Sequence, residues 1–274
     1  MHGTWNVLVK VSGDPMRTFH RATIMAAIVI TPPTIVAWFA TGQPALPASA
    51  ATFAAISAGL ELAYLFLLSA AYNRGEISVV YPIARGSAPL LAVLLGLGVL
   101  GERLAIPQLI GVGLLLVGIL AVTLPQTSGR ATVPALLTGV SIAAYSAVDR
   151  VGVRMTEPWL YGWLLVALLA VGLVLTRTLL PRVVRRAPAA AAVDRPPPIA
   201  WRQALVIGIF MWGGYLLVLL ALNLAPLSVV APVRETAVVA VAVWGVWRLR
   251  ERRAAGLKIA GAVATLLGVA LLAF

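Results

Sequence analysis

The chain has 274 residues, of which 61% are hydrophobic and 11% charged, and it carries a formal net charge of +12. Soluble domains carry about 25% charged residues, so this composition leaves too little polar surface to face water and reads as a polytopic helical membrane protein. With no Cys there are no disulfides or thiolate metal sites, and two His are too few for an imidazole metal centre. The basic excess lies mostly in loops beside apolar runs, without the basic and aromatic stripe that binds nucleic acid, and the sequence calls for no cofactor.

In chain order, Thr4–Val11 forms about half a span and ends at the turn signal Gly13-Asp14-Pro15. Asn6 and Lys10 interrupt it and no small-residue cleavage site follows, so a cleavable signal peptide is not expected. Windows of roughly 20 apolar residues then predict spans near Ala22–Ala40, Ala51–Tyr72, Ile77–Leu100, Ile106–Leu124 and Val133–Val148. A second group follows near Leu160–Leu175, Ala204–Leu224, Leu227–Val246 and Gly256–Phe274. Between Arg177 and Arg202 the chain is basic and rich in Pro and Ala, with the run Pro196-Pro197-Pro198, and reads as a semi-stiff solvated linker.

The segment Ser78–Arg85 reads S-V-V-Y-P-I-A-R and returns 150 residues later as S-V-V-A-P-V-R-E at Ser228–Glu235. Pro82 and Pro232 keep the same register, as do Gly118 and Gly268. A hydrophobic unit present twice, with charge kept inside both copies, is the sequence signature of a secondary transporter. The expected fold is an all-α polytopic membrane protein, a ten-helix inverted repeat of two five-helix units. Residues 1–125 form the first unit and 126–274 the second, with the basic loop at 178–202. Trp5…Lys10 corresponds to Tyr145…Arg150, whose helix has about a dozen more apolar residues upstream. A first helix truncated at its start is therefore expected, the alternative being a short helix that does not span.

A five-helix unit is odd in span number, so its second copy must be inverted. Fifteen Lys and Arg (Arg17, Arg21, Arg74, Arg130, six from Arg177 to Arg202, five from Arg248 to Lys258) fall on one side, against Arg103, Arg150 and Arg154 on the other. The positive-inside rule places the fifteen in the cytoplasm, and with ten helices both termini outside.

Several of these segments together resemble the EamA-type members of the drug/metabolite transporter superfamily. They are Trp5-Asn6…Lys10 followed by Gly13-Asp14-Pro15, then Tyr81-Pro82-Ile83-Ala84-Arg85-Gly86 with Pro89, and Gly101-Glu102-Arg103. The second half adds Ala144-Tyr145…Asp149-Arg150, Ala225-Pro226-Leu227-Ser228…Arg234-Glu235 and Glu251-Arg252. The resemblance covers essentially the whole chain. It implies ten helices in an inverted repeat, alternating access and transport of small metabolites or drugs, often as efflux across the inner (plasma) membrane. It implies no particular substrate. The chain departs from the family in its short N-terminal helix, and Glu61 is not read as a family-wide feature.

Ser78, Tyr81, Pro82, Arg85 and Pro89 are spaced by three and four and share one helical face. Arg85 lies roughly 12 Å into its span, where an unpaired charge costs several kcal/mol. It either pins the bundle or lines a polar cavity. In the second copy Ser228, Pro232 and Glu235 occupy the same face, and Glu235 stands where the first copy has Arg85, with Arg234 as its second available partner. The two readings are a structural ion-pair network and a substrate site. Glu61 and Tyr64 lie one turn apart, and Tyr215 holds a similar place in the second half. Glu61 suits proton coupling through desolvation, or pairs permanently with Lys10 or Arg85. Trp5, Asn6, Lys10, Tyr145 and Asp149 sit on helices that the duplication makes equivalent. Lys10 either faces the cavity or snorkels to the interface, and Asp149-Arg150 reads as an end-of-helix pair or, alternatively, as cavity lining.

Trp38, Trp159, Trp163, Trp201 and Trp247 fall near span ends and read as interfacial anchors, the alternative being substrate platforms, whereas Trp212 is deeper and could line a cavity. Gly111, Gly113, Gly118, Gly261 and Gly268 read as devices for close helix approach. The expected partners are a small-molecule substrate and the lipid bilayer. An integral-membrane lipid-modifying enzyme is the alternative, but no loop carries the cluster of His, Asp or Cys that such chemistry needs. A channel fits an inverted repeat with a midplane charge pair less well than a carrier does, and a non-transporting protein leaves Arg85 and Glu235 unexplained.

Overall fold

The computed structural model describes residues 5, 8–9, 12, 14–74, 77–123, 131–179, 199–236 and 255–272. Asn6, Lys10, Trp247, Glu251 and the linker residues 180–198 lie outside them, as do the side chains of Ser78 and Tyr81. Among the described residues the secondary structure is helical, with no strand. The helices are α1 Pro15–Ala40, α2 Ala48–Tyr72, α3 Ile77–Gly98, α4 Ile106–Thr123, α5 Thr132–Gly152, α6 Pro158–Leu179 and α7 Trp201–Leu224. Residues 227–236 are helical (α8), and α9 is Ala255–Leu271.

Five of these segments are long and apolar enough to cross a bilayer. Their outer faces, with those of α4 and α9, carry exposed Val36, Phe39, Val117, Leu217 and Leu266, while Glu61, Arg85, Asp149 and Glu235 are buried. A surface of that kind is solvated by lipid and not by water. The chain is a multi-pass membrane protein.

The largest revision to the predicted spans is at α1. Asp14-Pro15 is a helix start, so α1 begins seven residues before Ala22. Asp14 caps the helix by accepting from the Arg17 N–H at 3.1 Å, and Pro15 supplies a first-turn residue that needs no donor. Pro32 and Pro33 stay inside α1. Nearby, Thr31 and Thr34 donate their hydroxyls back to the carbonyls of Ala27 and Ile30, which keeps these polar groups satisfied in an apolar setting. The helix stops at Thr41, and Gly42 follows at φ +80°.

By spatial contact the chain divides into two compact units, each assembled from both halves of the sequence. Unit 1 comprises residues Met1–Tyr72 and Val148–Asn223, and within it α6 packs against α1 and α2. Gly208 lets α7 approach α1 closely, since a Cβ there would lie 2.5 Å from the Ala22 carbonyl oxygen. Unit 2 comprises Asn73–Ala147 and Leu224–Phe274, and its most extensive helix contact joins α4 to α9.

Those two helices are the repeat copies of one another, 150 residues apart. Their glycines meet crosswise. A Cβ on Gly111 would lie 2.8 Å from the Gly268 carbonyl oxygen, and one on Gly118 would lie 2.5 Å from that of Gly261. Because Gly261 is the repeat image of Gly111 and Gly268 that of Gly118, each glycine contacts the image of the other. This is the contact pattern of a two-fold relation, and it runs antiparallel, as an inverted repeat requires.

Candidate functional site

In unit 2, α3 carries Arg85 and α8 carries Arg234 and Glu235. Arg85 Nη1 donates to Glu235 Oε1 at 3.0 Å, and Arg234 Nε donates to the same oxygen at 3.0 Å. All three side chains are at least nine-tenths buried. A charge in the hydrocarbon layer is stable only when paired, and here one carboxylate serves two guanidiniums. The approach of positions 85 and 235 follows from the repeat register, since each is the image of the other. On the neighbouring α5, Gly139 makes room beside the Ala84 carbonyl and the Ser87 hydroxyl.

Ser228, predicted to share the face of Glu235, is occupied elsewhere. Its N–H and hydroxyl donate to Glu102 Oε2 at 2.9 and 2.7 Å, and the Leu227 N–H donates to Glu102 Oε1 at 2.6 Å. Glu102 comes from the loop between α3 and α4 and caps α8 from another element. In the sequence Gly101-Glu102-Arg103 stands as a motif without a role, because no periodicity links residues 102 and 228.

Unit 1 holds a second buried cluster. Asp149 is fully buried near the end of α5. Its Oδ1 accepts from the Tyr161 hydroxyl at 2.8 Å and its Oδ2 from the Tyr215 hydroxyl. Trp212 packs edge-on against Tyr215, with centroids 6.1 Å apart. Arg150 Nη1 donates to the Leu222 carbonyl at 2.6 Å, tying down the last turn of α7. Asp149 and Arg150 therefore hold two different helices, a wider role than the end-of-helix pair read from sequence. The sequence does not single out Tyr161, since nothing in a lone Tyr at the start of an apolar run announces a partner twelve residues back. Gly152 is what admits it, as a Cβ there would sit 2.7 Å from the Tyr161 hydroxyl.

Glu61 and Tyr64 are both buried on α2, with Glu61 in electrostatic range of Tyr161. Trp5 is a core residue packed edge-on against the buried Phe19 at 6.2 Å. Tyr145 is buried one turn before Asp149 on α5. A cavity of about 190 Å³ within unit 1 lies among α1, α6 and α7, lined by Trp212, Tyr215, Trp159 and Trp163 among others. Trp159 and Trp163, both partly exposed, line this cavity, and Trp163 also donates to the Thr31 hydroxyl at 3.0 Å. Trp201 fits the anchor reading, being half exposed with Arg21 stacked 4.7 Å over its ring. Among the described residues no group of His, Asp or Glu is arranged to hold a metal.

The family model of the EamA-like transporter family matches residues 1–124 and again 131–274. No curated protein matches the chain. A solved structure, described only as the crystal structure of a protein, superposes with a TM-score of 0.66 at 18% identity. The match covers 98% of this chain and 94% of that one, and it concerns the fold alone.

Proposed function

This chain belongs to the EamA-like transporter family, and from that membership we propose that it exports small metabolites or drugs across the inner (plasma) membrane by alternating access. The observation that carries the proposal is the buried contact between Arg85 and Glu235. Replacing a buried ion pair by well-packed apolar residues is often neutral or stabilising, by about 1–4 kcal/mol, so apolar residues would serve mere packing better. Charges retained inside a membrane bundle mark substrate or ion pathways. Arg85, Arg234 and Glu235 are assigned here to the substrate site, where a cation and an anion side by side suit a zwitterion or a polar drug. Proton coupling belongs to the same proposal, with Glu61 as the carrier group.

The test is reconstitution into liposomes preloaded with a metabolite mixture, followed by mass spectrometry of what leaves. Saturable efflux accelerated by the same compound on the far side supports a carrier. Efflux that neither saturates nor shows counter-transport would favour a channel, and full efflux with Arg85→Ala would remove Arg85 from the site. Efflux unaffected by an imposed pH gradient, or by Glu61→Gln, would remove the proton.

A further inference from the structure

We propose that Glu102 is a positioning residue for the Arg85–Glu235 pair, fixing the register of α8 against α3. The proposal deepens the transport-site reading above and rests on it for its functional meaning. The geometry stands by itself. Glu102 is bound to both helices. Its backbone N–H donates to the Gly96 carbonyl at 2.9 Å near the end of α3. Its carboxylate takes the three donors from Leu227 and Ser228 at the start of α8. A carboxylate on the exposed N–H groups at a helix start is favoured by hydrogen bonding and by the helix dipole.

From Gly96 back to Arg85 is roughly 16 Å of helix, and from Ser228 on to Glu235 roughly 10 Å. The two antiparallel helices are thus joined at two separated points, the Glu102 clasp and the ion pair. A slip of one residue displaces a helix by about 1.5 Å, enough to lengthen a 3.0 Å contact beyond hydrogen-bonding range. One attachment leaves that slip open, and two close it. Gly96 shows how closely the clasp is seated, for a Cβ there would run into Glu102 Oε2 and lie 3.2 Å from the Ser228 N.

The chain has no Cys, so paired cysteines report register without background. Ala88, Ala92 and Ala231 are buried on α3 and α8 between the two attachment points. Oxidative cross-linking in native membranes, with Ala231→Cys combined with either Ala88→Cys or Ala92→Cys, should favour one pair strongly. With Glu102→Ala that preference should be lost, and Gly96→Ala, which keeps the carboxylate but crowds it, should weaken it in the same direction. A cap that only stabilises α8 would lower protein level and leave the preference unchanged, and that result overturns the proposal.

The second readout is a thermal double-mutant cycle between Glu102→Gln and Arg85→Met. Sites this far apart act additively unless one sets the geometry of the other. Positioning requires the Arg85→Met shift in melting temperature to shrink by at least half in the Glu102→Gln background, and full additivity refutes it. Neither measurement needs a substrate. An intact register result with no flux from the native protein would discard the transport reading and keep the clasp.

Discussion

Removing Glu235 should damage the protein more than removing Arg85, because the carboxylate is shared and the guanidinium is not the only donor to it. Glu235 accepts from Arg85 and Arg234 at 3.0 Å each. In Arg85→Met the carboxylate keeps Arg234, and what it loses is a charge-assisted hydrogen bond worth about 1.5–3 kcal/mol. In Glu235→Gln two buried guanidiniums lose their common anion. The penalty is then that of a broken buried ion pair, about 3–5 kcal/mol. The difference of about 2 kcal/mol is more than tenfold in the folded fraction. The assay is unfolding of the purified variants by titrated denaturing detergent, with membrane abundance as a parallel readout. If Arg85→Met is as destabilising as Glu235→Gln, the shared-carboxylate account is wrong. A swap of Arg85→Glu with Glu235→Arg should recover protein level, because Arg234 still finds an acid. If the site binds substrate, the swap should not recover flux.

Three further outcomes are expected. Gly118→Val should collapse membrane abundance, because even a Cβ there would lie 2.5 Å from the Gly261 carbonyl oxygen, whereas Gly113→Ala, which meets nothing within 4 Å, should be silent on immunoblots. Tyr161→Phe and Tyr215→Phe should each cost about 1.5–3 kcal/mol in the same unfolding assay, the loss of a hydrogen bond to a carboxylate, and both costs should shrink in an Asp149→Leu background, where that acceptor is gone. A cytoplasm-dependent reporter fused after Phe274 should be dark if the loops holding the fifteen Lys and Arg are cytoplasmic, and bright signal would reverse the orientation.

What the sequence revealed depended on whether the relevant physics is local or repeated. Helix positions were readable because a span needs an unbroken apolar window, which is why α2, α4 and α7 start or end within a few residues of expectation. The start of α1 is not legible in the sequence because Asp14-Pro15 serves equally as a turn and as a helix start, and only the Arg17 N–H contact decides between them. The Arg85–Glu235 contact was legible because duplication places both at the same depth. Glu102 with Ser228, and Asp149 with Tyr161 and Tyr215, were not. They join residues with no common period or repeat relation, and only packing brings them into range.

The ion pair joins a position to its own repeat image, so it lies on the pseudo-symmetry axis that also makes Gly111 and Gly118 exchange partners with Gly268 and Gly261. Two identical chains assembled head to foot could not build it. They would bring arginine against arginine there, or glutamate against glutamate, and bury a repulsion. Opposite charge on the axis demands halves that are fused and free to diverge. It is the point at which a scaffold indifferent to up and down acquires a sense, because the half bearing the cation and the half bearing the anion can no longer trade places.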